Sequence, residues 1–116
     1  MKRPLAYITA AWSGERQKDK KQAVAYCRAI YEAGYAPLCP VLYLPLILNG
    51  AIPEEHKSGI DIQRDLLRRS HVLVVCGDVI DESVKSDIAV ARRRHMTATT
   101  LQGILTVNEQ GRKEKA

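Results

Sequence analysis

Between Gly77 and His95 the chain reads "GDVIDESVKSDIAVARRRH", one residue after the apolar run "HVLVV". Asp81, Ser83 and Asp87 fall within seven residues of one another, where a buried strand gives way to a helix. A carboxylate held at such a corner serves as nucleophile or base when ionised and as proton donor when protonated. Ser83 and Asp87 are four residues apart and share one side of a helix. Val84, Ile88 and Ala91 define its apolar stripe, and Asp87 lies about 60° off that stripe at ~100° per residue. Two readings of the corner stand side by side. Asp81 or Ser83 caps the helix and Glu82 is a first-turn acid, with Asp87 a surface acid paired to Lys85 or Arg94. Alternatively, Asp87 and Asp81 form a reactive acid pair.

A second polar loop, "WSGER", follows the apolar run Leu5 to Trp12. Ser13 supplies a hydroxyl, Gly14 permits close backbone approach, and Arg16 offers a planar fork for phosphate or carboxylate. A helix starting just after it would add free amides for an anion. The loop is neither GxxxxGK[ST] nor GxGxxG, and a plain Ser-Gly turn before a helix is the competing reading.

These loops need elements to hold them. "LAYITAAW" reads as a buried strand, and Gln17 to Ala33 as a helix with Ala23, Val24, Cys27, Ile30 and Tyr31 facing the core, closed by Gly34. Tyr35 to Tyr43 reads as a strand that Pro37 and Pro40 keep short or at an edge. "LPLILNG" reads as a helical turn. Pro53 opens a helix with Ile60, Leu66 and Leu67 inward. His71 to Gly77 is a strand covered on both faces, then comes a helix to Arg94, with "MTATTL" a final strand and "QGILTVN" a short extension. Strand and helix alternate, which predicts an α/β domain of the Rossmann-like or flavodoxin-like kind. The expectation is a mostly parallel sheet of four or five strands with helices on both faces. Ligands of such sheets bind beyond the carboxyl ends of the strands, where both polar loops fall. The expected domain spans 1–108, with 109–116 a polar, frayed tail.

Composition narrows the function classes. The chain has 116 residues, 46% hydrophobic and 27% charged, with no Phe and one Trp, which suits one globular domain with an aliphatic core. Its formal charge of +5 is concentrated in Arg92 to Arg94 and the tail "GRKEKA". Without interleaved aromatics this reads as a solvated helix end rather than a nucleic-acid surface. Cys27, Cys39 and Cys76 are widely spaced, make no zinc pattern and read as reduced, buried thiols. No apolar h-region and no run of ~18 apolar residues occurs, so a cytoplasmic protein with no membrane partner is expected.

The ordered pieces "YITAAWSGER", "AVAYCRAIYEAGYAPLCP" and "LLRRSHVLVVCGDVIDESVKSDIAVARRR" resemble small nucleoside 2-deoxyribosyltransferase-like domains, including short relatives from bacteria and their mobile elements. The resemblance runs from about Tyr7 to Thr100 and is most specific in "CGDVIDESVKSDIAVA". It implies a nucleoside or nucleotide as partner, with no metal and no organic cofactor. Asp87 would be the nucleophile on the anomeric carbon and Asp81 the acid assisting the base. Ser83 would lie in a turn touching phosphate, and Ser13, Gly14 and Arg16 in the loop that holds sugar or phosphate. The resemblance also implies a homodimer or higher oligomer, for which Tyr43 to Ile52 is the candidate contact, with a lid or a core-packing segment as the competing reading. This chain departs from the pattern in three places. Asp87 stands where a glutamate is usual, Val84 or Lys85 where a turn glycine is usual, and His71 where an aspartate is common. The alternative is a catalytically silent protein-binding module from a mobile element, such as an inhibitor of a host defence nuclease.

Overall fold

The computed structural model describes residues 2–107. Four strands, β1 (Leu5–Thr9), β2 (Ala36–Leu38), β3 (Val72–Val75) and β4 (Thr97–Thr100), form one sheet in the order β2-β1-β3-β4, with every pair parallel. Between them run α1 (Arg16–Glu32), a 3-10 turn (Pro40–Leu42), α2 (Leu44–Ile47), α3 (Pro53–Arg68) and α4 (Glu82–Arg93). Residues 101–107 are helical, and the Thr100 hydroxyl accepts the Gly103 amide at 2.9 Å to start that turn. The layered α/β fold and parallel sheet expected from the alternation of elements are therefore present. The expected tail, 109–116, lies outside the described residues.

Alternation along β1 divides the core in two. Ala6, Ile8 and Ala10 join Val72, Val74 and Cys76 beneath α1, where Ala23, Ile30 and Ile104 complete one cluster. Tyr7 and Leu73 face the other way and meet Leu67 of α3 with Val90 and Ala91 of α4. Each fully buried aliphatic side chain contributes about 1.5–3 kcal/mol of transfer free energy. With helices on both faces, β3 reads as an unbroken apolar run, and all four of its residues are buried.

β1 ends at Thr9, three residues before the apolar run does, because the Trp12 amide turns back onto the Ala10 carbonyl at 3.0 Å. β2 stops at Leu38, since Pro40 opens the 3-10 turn; it is an edge strand, as its prolines require. In α1, Val24 and Tyr31 are 52% and 45% exposed rather than core-facing. The buried face follows Asp19, Ala23 and Ile30, and Tyr31 instead lies under the guanidinium groups of Arg3 and Arg28. In α3, Leu67 is buried but Ile60 is 38% exposed: the C-terminal half of the helix meets the sheet and α4, while Ile60 borders a groove shared with α2. Among the described residues, no helix is long and apolar enough to cross a membrane.

Candidate functional site

The chain order of the strands reverses between β1 and β3. The connection from β1 leads outward to β2 on one side, and that from β3 leads outward to β4 on the other. Right-handed crossovers then place α1 and α4 on opposite faces, leaving a crevice past the carboxyl ends of β1 and β3. Thr9 closes β1 at that crevice, opposite Val75 of β3, and is 3% exposed.

Asp87 reaches this point from α4. Val84, Val90 and Ala91 bury one face of the helix, and Asp87 lies on its flank, half-buried. The Thr9 hydroxyl donates to Asp87 Oδ2 at 2.7 Å. Burial disfavours the carboxylate and lifts the pKa of Asp87 above the ordinary aspartate value, assisted by the neighbouring charge of Asp81. The Thr9 hydrogen bond and the Arg64 cation oppose that rise without cancelling it. Two residues before Thr9, the buried Tyr7 phenol is held well above its usual pKa, first by burial and then by Asp87, Cys39 and Tyr43. The partly buried carboxylate of raised pKa, held by the Thr9 hydroxyl and within the field of Arg64, is a group able to attack carbon or take a proton.

The β1–α1 loop is built around a different acid. Asp19, 5% exposed, accepts from the Ser13 hydroxyl at 2.8 Å and from the Ser13 and Gly14 amides, each at 2.9 Å. Burial opposes its ionisation. The Ser13 and Gly14 hydrogen bonds and the nearby Lys18 outweigh burial and hold the carboxyl below its ordinary pKa. Ser13 Oγ also accepts the Glu15 amide at 3.0 Å, and Gly14 has φ +88°, a left-handed value that glycine adopts without strain. These donors are thus engaged inside the chain by an internal anion. Beside them lies a cleft of about 360 Å³ lined by Trp12, Gly14, Arg16, Asp19, Lys20, Val41, Leu42 and Pro45. It pairs an aromatic and aliphatic floor with two cations.

Of the residues singled out in the sequence, Gly14 and Arg16 line this cleft, and Ser13 anchors its rim through Asp19. Asp87 lies at the end of β1, four residues before Ser13 along the same sheet edge through its Thr9 contact, and is not among the residues lining the cleft. Asp87 comes from α4 on one face of the sheet, whereas the cleft is walled by the start of α1, the 3-10 turn and α2, so the structure does not bring Asp87 and the Ser13–Gly14 loop into one cleft. Asp81 is the N-cap of α4, its Oδ1 accepting the Val84 amide at 2.9 Å, and Ser83 is exposed on the first turn. His71 has a structural place: its Nδ1 accepts the Leu5 amide at 2.9 Å, extending the β1–β3 pairing. Arg92 and Arg93 end α4 and Arg94 caps it.

Thr9, Tyr7, Arg64 and Asp19 were not singled out in the sequence. For Tyr7 and Thr9 the readable clue was alternation, since both point to the α4 face of a strand whose carboxyl end carries the site. Among the described residues, no three His, Cys, Asp or Glu side chains cluster as a metal site.

A family profile described as Domain of unknown function (DUF7768) matches residues 4–101, and the chain belongs to that family. No curated protein matches the chain.

Proposed function

We propose that this member of the DUF7768 family is a nucleoside- or nucleotide-binding domain akin to the nucleoside 2-deoxyribosyltransferase-like proteins, acting in N-glycosidic hydrolysis or 2-deoxyribosyl transfer. The observation that carries the reading is the 2.7 Å bond from Thr9 to Asp87 at the point where strand order reverses. It fixes one oxygen of a partly desolvated carboxylate and leaves the other for a ligand. In the proposed reaction, Asp87 attacks the anomeric carbon and the bond to the base breaks. Asp81 assists at the departing base, which takes its proton from solvent. Water or a second base then displaces the sugar from Asp87. Because Asp19 occupies the loop amides, phosphate anchoring falls to Arg16 and Lys20, with Ser83 on the α4 side. Trp12 offers a flat face for a base. The scheme uses no metal or organic cofactor, and the cytoplasm is its compartment.

The test is incubation of the protein with the common 2-deoxynucleosides and their 5′-phosphates, followed by chromatography for free base. Release by the wild type and none by Asp87→Asn supports the reaction. No release, together with no thermal shift from any of these ligands, overturns both binding and catalysis.

A second reading, a silent protein-binding module, is favoured by one observation: Leu46 and Ile47 of α2 are 70% and 65% exposed, side by side. The same patch is the proposed contact with a second copy.

A further inference from the structure

The sheet ends differently at its two edges. β2 carries Pro37, which blunts one edge, and the 3-10 turn and α2 follow it directly. β4 forms the other edge with neither proline nor charge, and Thr97, Ala98 and Thr100 are exposed. It pairs with β3 alone, and among the described residues no strand takes its outer side. Alternate residues of β4 therefore turn their N–H and C=O outward.

Beside this edge lies a row of cations. α4 packs against α3, β3 and β4. Val90 sits about 100° round the helix from Ala91, yet both are buried, because α3 covers that flank and its Leu67 joins their cluster. The opposite flank overhangs the outermost strand. It carries Lys85, Ile88, Ala89, Arg92 and Arg93 on one side of the helix, and these line a groove of about 440 Å³. The helix dipole favours cations in the last turn, which accounts for Arg92 and Arg93 but not for Lys85 near the start. Lys85 lies 3.3 Å from Glu82, whereas Arg92 and Arg93 make no ion pair among the described residues.

We infer that the β4 edge and this groove form a docking surface for an extended acidic segment of a partner protein, which adds to the sheet as a fifth strand. The exposed backbone supplies the pairing and the groove supplies selectivity. β4 has only four residues, so the ladder is short and the charges beside it must contribute to binding. In an added strand every second side chain faces α4. Carboxylates there meet Arg92, Arg93 and Lys85 in charge-assisted hydrogen bonds, with Ile88 and Ala89 offering apolar contact between them. A second copy fits this edge poorly, since β4 laid against β4 would bring two sets of the same cations together. Nucleic acid would meet the arginines but has no amide ladder for β4, and no aromatic residue lines the groove to stack a base. Asp87 does not line the groove, so the inference stands apart from the proposed reaction.

The experiment uses the full chain and a fluorescein-labelled synthetic peptide that alternates glutamate with valine. Binding is read by fluorescence anisotropy, and amide hydrogen exchange is followed at residues 97–100. The expected result is saturable binding that weakens with salt, together with slowed exchange of the β4 amides. Two control peptides should fail to bind: one N-methylated throughout, which cannot donate to a ladder, and one with lysine in place of glutamate. Arg92→Glu with Arg93→Glu should weaken binding by about tenfold. The peptide controls are read on the wild type, so the test stands even where the variant fails to fold. No binding of the glutamate peptide, equal binding of either control, or unchanged exchange at β4 would overturn the inference. So would protection of the 97–100 amides by a second copy at raised protein concentration without peptide. A single-stranded oligonucleotide that binds where the peptide does not would give the surface to nucleic acid instead.

Discussion

Asp87 of α4 and Asp19 of α1 are two aspartates drawn from water on helices that flank one small sheet, and the fold treats them in opposite ways. Asp87 has one hydroxyl partner and a raised pKa, so its ionised form costs free energy in the native state. Its contribution to stability is full below the ordinary aspartate pKa and is lost as pH rises through the higher native value. Asp87→Asn should therefore raise Tm at pH 7 and leave it unchanged near pH 3, as read by calorimetry. In the proposed reaction, base release by the wild type should climb with pH through a pKa above the aspartate range. Thr9→Val should move that pKa further up and cut kcat by about 100-fold, since the carboxylate loses the group that aims it. Asp19 has the reverse sign. Its stabilisation is present above the ordinary value and is lost as pH falls through its lowered native pKa. Asp19→Asn puts an amide against the Ser13 and Gly14 donors, and should cost about 1–3 kcal/mol at neutral pH in a denaturant titration. That deficit should shrink in acid. The position of Asp87 was legible from its angle to Val84, Ile88 and Ala91. Asp19 was not: within "ERQKDKK" it reads as one more solvated charge, and only the fold supplies the Ser13–Gly14 turn that claims it.

At the scale of elements, the order of strands and helices was readable because proline, glycine and apolar period mark each one. Pro37 and Pro40 kept β2 short and at an edge, and Gly34 closed α1. The faces of the helices were less readable, because periodicity finds a stripe but not the neighbour that covers it. Val24 sits one ~100° step from the buried line through Ala23. Ile60 lines a groove rather than meeting the sheet, the groove lying between the first half of α3 and α2. The start of α4 separates two roles for one residue. Asp81→Ala should lose the cap on Val84 and about 1 kcal/mol of stability. Asp81→Asn should keep the cap and Tm. If Asp81 also assists at the departing base, the Asn variant keeps its fold and loses base release, a split that thermal melting and chromatography detect together.

At the scale of the whole molecule, the adjacent Leu46 and Ile47 are among the most exposed large apolar side chains of the described residues. In the proposed assembly a second copy covers it. Leu46→Glu with Ile47→Glu should convert a dimer to a monomer in sedimentation velocity, with stability changed by no more than about 0.5 kcal/mol, as for other solvent-facing substitutions.

The Thr9–Asp87 contact spans 78 positions. While the polypeptide is still being synthesised, β1, α1 and β2 leave the ribosome long before α4 exists, so Thr9 has no acid to meet. A fragment ending between residues 45 and 86 contains every residue that lines the cleft but not the carboxylate, and the Thr9–Asp87 corner is among the last features of the domain to assemble.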